Sequence, residues 1–273
     1  MTGTSKGTAL ITGASSGIGA IYADRLARKG YDLILVARNK ARLMELARQL
    51  GDETGRTVEV VAADLGNRDG LAEVEKVLRT DAGITMLINN AGIGATAPLL
   101  SSDIDRMEEM IGLNVTALTR LTHAVAPGFV ERGAGTIVNI ASIVGIAPEQ
   151  LNGVYGGSKA FVLAFSQSLQ SELADKGIRV QAVLPGATAT DFWGIAGTPL
   201  EYVPSEIVMS ADDMVDAALA GLELGEQVTI PSLPDVSDWT AYEAARQKLK
   251  PNLSRNKPAA RYGVGHRAGQ PTH

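Results

Sequence analysis

The chain has 273 residues, 45% of them hydrophobic and 20% charged, enough to bury the core of one large domain or two small ones. Its net charge of −5 provides no electrostatic footprint for nucleic acid, whose phosphates require clustered lysines and arginines. Cysteine is absent and the three histidines, His123, His266 and His273, lie far apart, which excludes a disulfide framework and a thiolate metal site and leaves no metal site to expect.

The N-terminal stretch MTGTSKGTALITGASSG has one lysine and a short apolar run ending in glycines, without the length or flanks of a signal peptide. No run approaches the about 18 apolar residues of a membrane span, so a soluble cytoplasmic protein is expected. The first β-rich run, TALIT at 8–12, feeds into Thr12-Gly13-Ala14-Ser15-Ser16-Gly17-Ile18-Gly19, and a helical pattern follows until Gly30 stops it. Such a turn lets a pyrophosphate approach the backbone, where unpaired N–H groups and the helix dipole favour negative charge. The spacing G-x-x-x-G-x-G is not the common dinucleotide fingerprint, but its place at the first strand-to-helix turn favours binding over an inert glycine-rich turn.

The next run, DLILVA at 32–37, leads into Arg38 and Asn39. The residue roughly 20 positions past the glycines usually meets the adenosine ribose, acidic for a free 2′-hydroxyl and basic for a 2′-phosphate. No carboxylate is present here, and the planar fork of Arg38 suits a phosphate, so NADP(H) is expected over NAD(H), although Ala14, Ser15 and Ser16 add no second cation. Helical patterns then follow at 41–50, 71–79, 103–131, 154–176 and 211–222, alternating with apolar runs at 57–63, 84–90, 135–142, 178–185 and 226–232. Nearly continuous apolar strands alternating with helices predict a single doubly wound α/β domain of the Rossmann type, an about seven-stranded parallel sheet with helices on both faces. The domain is expected to run over residues 1–250, with 251–273, rich in Pro, Gly and basic residues, as a C-terminal tail.

Within VYGGSKAF at 154–161, Tyr155 and Lys159 stand one helical turn apart, so their polar ends can converge on one face, despite two glycines at 156 and 157 where a helix prefers alanine. Taken with T-G-x-x-x-G-I-G at 12–19, N-N-A-G at 89–92, Ser142 after the fifth strand and P-G at 185–186, this motif resembles the one-domain branch of the short-chain dehydrogenase/reductases over roughly residues 5–232. The resemblance implies a catalytic tetrad of Asn114, Ser142, Tyr155 and Lys159. Hydride transfer to a carbonyl carbon puts negative charge on the oxygen, so Ser142 and Tyr155 would bind that oxygen and Tyr155 would exchange the proton. Shifting a tyrosine from about 10 towards about pH 7 takes roughly 4 kcal/mol, the size of a Coulomb term from an ammonium about 4 Å away at an effective dielectric of about 20. Lys159 is therefore expected to lower the tyrosine pKa and, by the resemblance, to bind the nicotinamide ribose. Asn114 would hold a proton-relay water; the other reading is a buried hydrogen-bonding residue.

The resemblance further implies cofactor contacts from Gly13, Ser15, Ser16, Gly17, Ile18 and Gly19, from Asp64 and Leu65 at the adenine, and from Asn90, Ala91 and Gly92 along the fourth strand's end. Pro185, Gly186, Thr188 and Thr190 match the turn that meets the nicotinamide carboxamide, and Asn89 is read as structural. Asp64 could equally cap a helix. Specificity is expected in residues 187–212, a long loop without clear regular structure that carries Phe192, Trp193, Ile195, Leu200, Tyr202 and Val203. With Ile143, Val144, Val154, Ile93 and Leu99, these residues suggest an apolar pocket for a small-molecule ketone, aldehyde or secondary alcohol. A homodimer or homotetramer through the two long helices is expected from the family, with His123 in packing or interface. Competing readings are an NADP(H)-binding redox sensor without turnover and an isomerase or epimerase using NADP transiently.

Overall fold

The computed structural model describes residues 5–264. The chain divides into a first compact unit ending at Ser232 and a second beginning at Leu233. In the first unit, strands β1 (Thr8–Thr12), β2 (Asp32–Ala37), β3 (Val58–Ala62), β4 (Ile84–Asn89), β5 (Gly135–Ile140) and β6 (Ile178–Val183) form a parallel sheet. Its helices are α1 (Gly17–Arg28), α2 (Lys40–Thr54), α3 (Arg68–Thr80), α4 (Ile104–Ile111), α5 (Leu118–Arg132) and α6 (Gly153–Leu173). After β6 come β7 (Thr188–Ala189), α7 (Phe192–Ala196), β8 (Met209–Ser210), α8 (Ala211–Leu224) and β9 (Val228–Thr229).

The main sheet has seven strands in the order β3-β2-β1-β4-β5-β6-β9, as the apolar runs predict. Side chains alternate between two cores because consecutive residues of a strand point to opposite faces. Ala9, Ile11, Leu33 and Leu35 join α1, α2 and α8 through Tyr22, Leu26, Leu43 and Val215. Leu10, Ile34 and Val36 join α3, α5 and α6 through Val74, Phe129 and Leu173. Glu75 of α3, buried, accepts hydrogen bonds from Arg79 and from Arg120 of α5, tying those two helices together on the second face.

The structure revises several boundaries. The last apolar run, expected over 226–232, pairs only at Val228 and Thr229. The long helix expected over 103–131 breaks into α4, a π-helical turn at Gly112–Ala117 and α5. The segment 187–212 is not irregular: α7 lies in it, and β7 and β8 form a two-stranded ladder with Thr188 opposite Met209. A domain end near 250 gives way to the division after Ser232, because residues Val236–Leu249 form a further helix, α9, which the search for apolar periodicity passes over; it buries none of its side chains. In that second unit Trp239 and Tyr242 stack at 5.2 Å, and Asp235 caps the helix by accepting from the Ser237 N–H. Residues 265–273 of the expected tail, with His266 and His273, lie outside the described residues. Among those described, no helix is long and apolar enough to cross a membrane.

The two glycines of α6 differ in their surroundings. A Cβ on Gly156 would meet Pro148 Cβ at 3.1 Å, whereas one on Gly157 would meet nothing within 4 Å. Gly157→Ala is therefore expected to raise stability by about 0.5–1 kcal/mol, the helix-interior difference between the two residues. Gly156→Ala should gain less or lose, since Pro148 must give way; urea unfolding of both variants measures the contrast.

Candidate active site

The strand order reverses between β1 and β4, and the crevice at the carboxyl ends of these strands is where open α/β sheets bind ligands. The buried Thr12 hydroxyl closes its floor. It donates to Ile88 O at 3.2 Å and accepts from the Asn90 and Ala91 N–H groups, each at 3.0 Å. Asn90 Nδ2 returns to Thr12 O at 3.0 Å and Gly13 O at 3.2 Å. This packing leaves no room for side chains at the turn. A Cβ on Gly13, whose φ is +67°, would lie 2.8 Å from Asn90 Nδ2, and one on Gly19 would lie 2.3 Å from Gly13 O.

The α1 N-terminus that follows has Ser16 as its cap residue, yet no side chain caps it and its first turn holds no acidic residue. Its leading N–H groups therefore present uncompensated positive charge beside the half-buried Ser15, Ser16, Gly17 and Ile18, and the turn fits a diphosphate. Arg38, directly after β2, is exposed and pairs with no carboxylate among the described residues. Lys40 and Arg42, both exposed, start α2 beside it, so the further cations stand at the start of the next helix and not in the glycine turn. Asp64 lies exposed after β3 and accepts from the Gly66 N–H at 2.9 Å, while Leu65 is buried. The cap of α3 is Asn67, which accepts from the Gly70 N–H, so the capping alternative for Asp64 falls away.

Ser142, Tyr155 and Lys159 are all buried. Asn152 caps α6 by accepting from the N–H groups of Val154 and Tyr155, which sets the phase of the helix and points Tyr155 and Lys159 along one face. Lys159 Nζ donates to Ile140 O at 2.8 Å and lies 5.9 Å from the Tyr155 ring centre. Burial pushes the Tyr155 phenol up to about 12, with hydrogen bonding from the Ser142 side chain pulling it only partly back. Burial also pushes the Lys159 ammonium down to about 8. In this arrangement burial sets the direction of the Tyr155 shift, upward rather than the expected lowering by lysine, with the amine turned onto the Ile140 carbonyl and the phenol dry.

Asn114 sits in the π-helical turn, buried, where its amide pairs with both backbone groups of Ile93. Its Oδ1 accepts from Ile93 N at 2.9 Å, and its Nδ2 donates to Ile93 O at 2.8 Å and to Ser158 Oγ at 3.1 Å. A Cβ on Gly92 would meet Asn114 Oδ1 at 3.0 Å and Lys159 Nζ at 3.7 Å, so these residues converge at the end of β4. The extra residue of the π turn supplies a local change of helical phase, a feature frequent at functional sites.

The far wall comes from the segment after β6. Pro185 O accepts from Ile143 N at 3.0 Å and from Ser142 Oγ at 3.4 Å, which fixes the Pro185-Gly186 turn beside Ser142. Thr188 Oγ1 donates to Gly186 O, Thr188 O accepts from Trp193 Nε1, and Thr190 lies against Gly17 of the glycine turn. Phe192 packs on the Tyr155 ring with centres 5.6 Å apart. Tyr155 shares an apolar cluster with Ala95, Met107, Met110 and Val144, on which Ile93, Val154 and Phe192 pack. Of the residues suggested for the pocket, Leu99 and Tyr202 are exposed, while Ile195, also exposed, borders a cavity with Ile93, Ala95 and Met107; His123 is exposed on α5. Ala95, Met107 and Met110 escape sequence reading, since small residues after N-N-A-G and methionines on a helix carry no signal of their own.

A profile of short chain dehydrogenases matches residues 7–198, and the chain belongs to the short-chain dehydrogenase/reductase family. It is accordingly an oxidoreductase. Among solved structures it is similar to a short-chain dehydrogenase from Sphingobium yanoikuyae in complex with NADPH, at 52% identity and a TM-score of 0.91 over 94% of this chain and 99% of that one. It is also similar to the bulky-bulky ketone specific alcohol dehydrogenase from Comamonas testosteroni, at 47% identity and a TM-score of 0.87 over 95% and 99% of the two chains. Sulfoacetaldehyde reductase 2 of Chromohalobacter salexigens is 41% identical over 252 residues, 87% of this chain and 98% of the relative.

Replacing Asn114 by alanine leaves both backbone groups of Ile93 without their partners. The variant is expected to lose about 1–3 kcal/mol of stability. Hydrogen exchange at the Ile93 amide, expected to be slow in the unmodified protein because it is bonded to Asn114 Oδ1, should become fast in Asn114→Ala while amides of the central strands stay protected.

Proposed function

We propose that this oxidoreductase uses NADP(H) to interconvert an apolar ketone or aldehyde and its alcohol, with Tyr155 as the group that exchanges the proton. The observation that carries this reading is the buried meeting of Ser142, Tyr155, Lys159 and Asn114 beside an uncapped, acid-free α1 N-terminus at the sheet's switch point. Bound there, NADP(H) would supply or accept the hydride. Gly13, Ser15, Ser16, Gly17, Ile18 and Gly19 would hold the diphosphate. Arg38, helped by Lys40 and Arg42, would meet the 2′-phosphate. Asp64 and Leu65 would border the adenine, Asn90, Ala91 and Gly92 the middle of the cofactor, and Pro185, Gly186, Thr188 and Thr190 the nicotinamide carboxamide. Support also comes from the Sphingobium relative, whose structure is a complex with NADPH.

With its pKa pushed up to about 12, Tyr155 carries its proton at neutral pH, which suits it to protonate the oxygen of a ketone undergoing reduction. Ser142 donates a second hydrogen bond to that oxygen, where charge develops. Lys159, with a pKa near 8, is largely protonated at neutral pH and stabilises negative charge nearby. Asn114 holds the Ile93 loop in place against Ser158 and Lys159. The apolar cluster around Tyr155 supports an apolar substrate, and similarity to the bulky-bulky ketone specific enzyme supports a ketone with large substituents. We extend the proposal to a homodimer or homotetramer through α4, α5 and α6, on which Ile111, Val130 and Phe161 are exposed. A sensor without turnover is less well supported, because burying both a phenol and an amine costs stability that binding alone does not require.

Steady-state reduction of a hydrophobic ketone panel with NADPH tests the reading. Tyr155→Phe is expected to lower kcat by about 100-fold or more while NADPH binding, read by nicotinamide fluorescence, is retained. Turnover near the unmodified level would refute the assignment. Arg38→Asp should shift the kcat/KM preference for NADPH over NADH by at least about tenfold towards NADH.

The pH dependence follows from the two buried groups. Alcohol oxidation needs Tyr155 without its proton and should rise from about pH 7, then level off above about pH 8, where loss of the Lys159 charge offsets the growing phenolate fraction. Ketone reduction should stay level at neutral pH and decline above about pH 8, where Lys159 loses its charge. Initial rates in both directions across that range check the divergence.

A further inference from the structure

The segment joining β4 to α4 carries one short 3-10 turn, Leu99–Ser101, and side chains from other elements hold it at three places. Asn114 pairs with both backbone groups of Ile93. Thr96 is fastened to α7, its N–H and its hydroxyl both donating to Ala196 O, at 3.1 and 3.0 Å. The third holder is Asn152, the residue that opens α6. Ala95 of this segment belongs to the apolar cluster of Tyr155 and Ile93 packs against it, so the segment forms one wall beside the phenol.

Asn152 is 1% exposed and uses the whole hydrogen-bonding capacity of its amide. Its Oδ1 accepts from the N–H groups of Val154 at 2.9 Å and Tyr155 at 3.2 Å. Its Nδ2 donates to Ala97 O at 2.6 Å and to Ser102 Oγ at 3.0 Å. Only one orientation of the amide works, since its oxygen faces two N–H donors and its nitrogen faces a carbonyl. Ser102 shares its hydroxyl proton between Ala97 O at 3.1 Å and Pro98 O at 3.0 Å, which closes a small ring on the Asn152 amide. A helix cap needs no more than an acceptor, and serine or aspartate would provide one. The donor half of Asn152 is therefore surplus to capping, and it is the half that reaches the segment beside Tyr155. Left unpaired in the interior it would be costly, so the side chain is held to both partners at once.

We propose that Asn152 is a positioning residue of the reaction, a strut one amide wide that sets the spacing between Tyr155 and the wall at residues 93–97. The inference rests on the carbonyl-reducing reading above. Asn152 acts through the Tyr155 N–H on one side and Ala97 O on the other. With the strut in place, a ketone whose oxygen meets Tyr155 finds that wall at a fixed distance. With the strut cut, the wall drifts and ketone binding weakens, while the cofactor turn, built on Thr12, Asn90 and Ala91, is untouched.

Two variants of the full-length protein test this. Asn152→Ser keeps a capping acceptor and removes the donor, whereas Ser102→Ala removes an acceptor at the far end of the strut and leaves every residue of α6 in place. Reduction of acetophenone and benzophenone with NADPH is measured, together with calorimetric binding of 1-phenylethanol and diphenylmethanol to the NADPH complex. Asn152→Ser is expected to raise ketone KM and weaken alcohol binding by about tenfold, with kcat lowered less than about threefold and NADPH affinity unchanged; Ser102→Ala should move the same quantities in the same directions by less. The double variant should be little worse than Asn152→Ser alone, because both substitutions cut one connection. Amide exchange at Val154 and Tyr155 should stay slow in Asn152→Ser, the mark of an intact cap. A role in helix stability alone predicts the reverse, faster exchange in Asn152→Ser and no change of KM in Ser102→Ala. Unaltered ketone KM and alcohol affinity in a protein that reduces ketones would overturn the strut and leave the carbonyl reading standing; if Asn152→Ser does not fold, Ser102→Ala decides by the same criterion. Alcohol affinity that falls in the variants, with no ketone turnover in any form, would uphold the strut and overturn hydride transfer. If the unmodified protein neither reduces a ketone nor binds an alcohol, both readings fall.

Discussion

One buried hydroxyl holds the site's floor together. Thr12, at the end of the first strand, uses its donor on Ile88 and both acceptor positions on Asn90 and Ala91, so its hydrogen-bonding capacity is fully spent on the neighbouring strand. That neighbour is β4, and the junction of β1 with β4 is where helices switch from one face of the sheet to the other. The crevice exists because of the switch, and Thr12 fixes its width. The glycine turn then packs so tightly on Asn90 and Ala91 that only residues without Cβ fit at 13 and 19.

Burial gives the site its character. Behind it, a chain of polar side chains crosses the core from Asn89 to Thr122 and Asn139, and from Asn139 to Ser166. Asn89 Oδ1 and the Tyr22 hydroxyl have no hydrogen-bond partner among the described residues, a cost that a purely apolar interior would avoid. The same dryness moves Tyr155 and Lys159 in opposite directions, raising the acid and lowering the base towards their neutral forms. A phenol in that state is a proton donor at neutral pH, and the position of a single amine, turned onto Ile140 O, decides how strongly its charge is felt.

Much of this arrangement was legible beforehand where physics is local. Short, nearly continuous apolar runs located the first six strands to within about two residues, and helical spacing located α1, α2, α3, α6 and α8, because a buried face repeats along each helix and the strands are buried on both faces. Glycines at a strand-to-helix turn marked the crevice for the same reason. Legibility failed where partners are distant in sequence. Nothing near Asn114 announces that its amide will mirror the backbone of Ile93, and nothing near Gly94 announces an aromatic ring from residue 192. Helix α9 was missed because it buries no face, so its sequence has no apolar period to detect.

The sequence by itself determined the doubly wound sheet, the glycine turn, and the placing of Tyr155 and Lys159 one turn apart on a helix. Each follows from steric rules and hydrophobic repeats that act over a few residues. Tertiary structure alone decided which groups are dry, and therefore which way Tyr155 and Lys159 shift, because desolvation depends on everything packed around them. It also decided that the Phe192 ring packs on Tyr155 and against Gly94, since those contacts join segments far apart in the sequence. Short-range rules set where each element lies, and long-range packing set what its side chains meet.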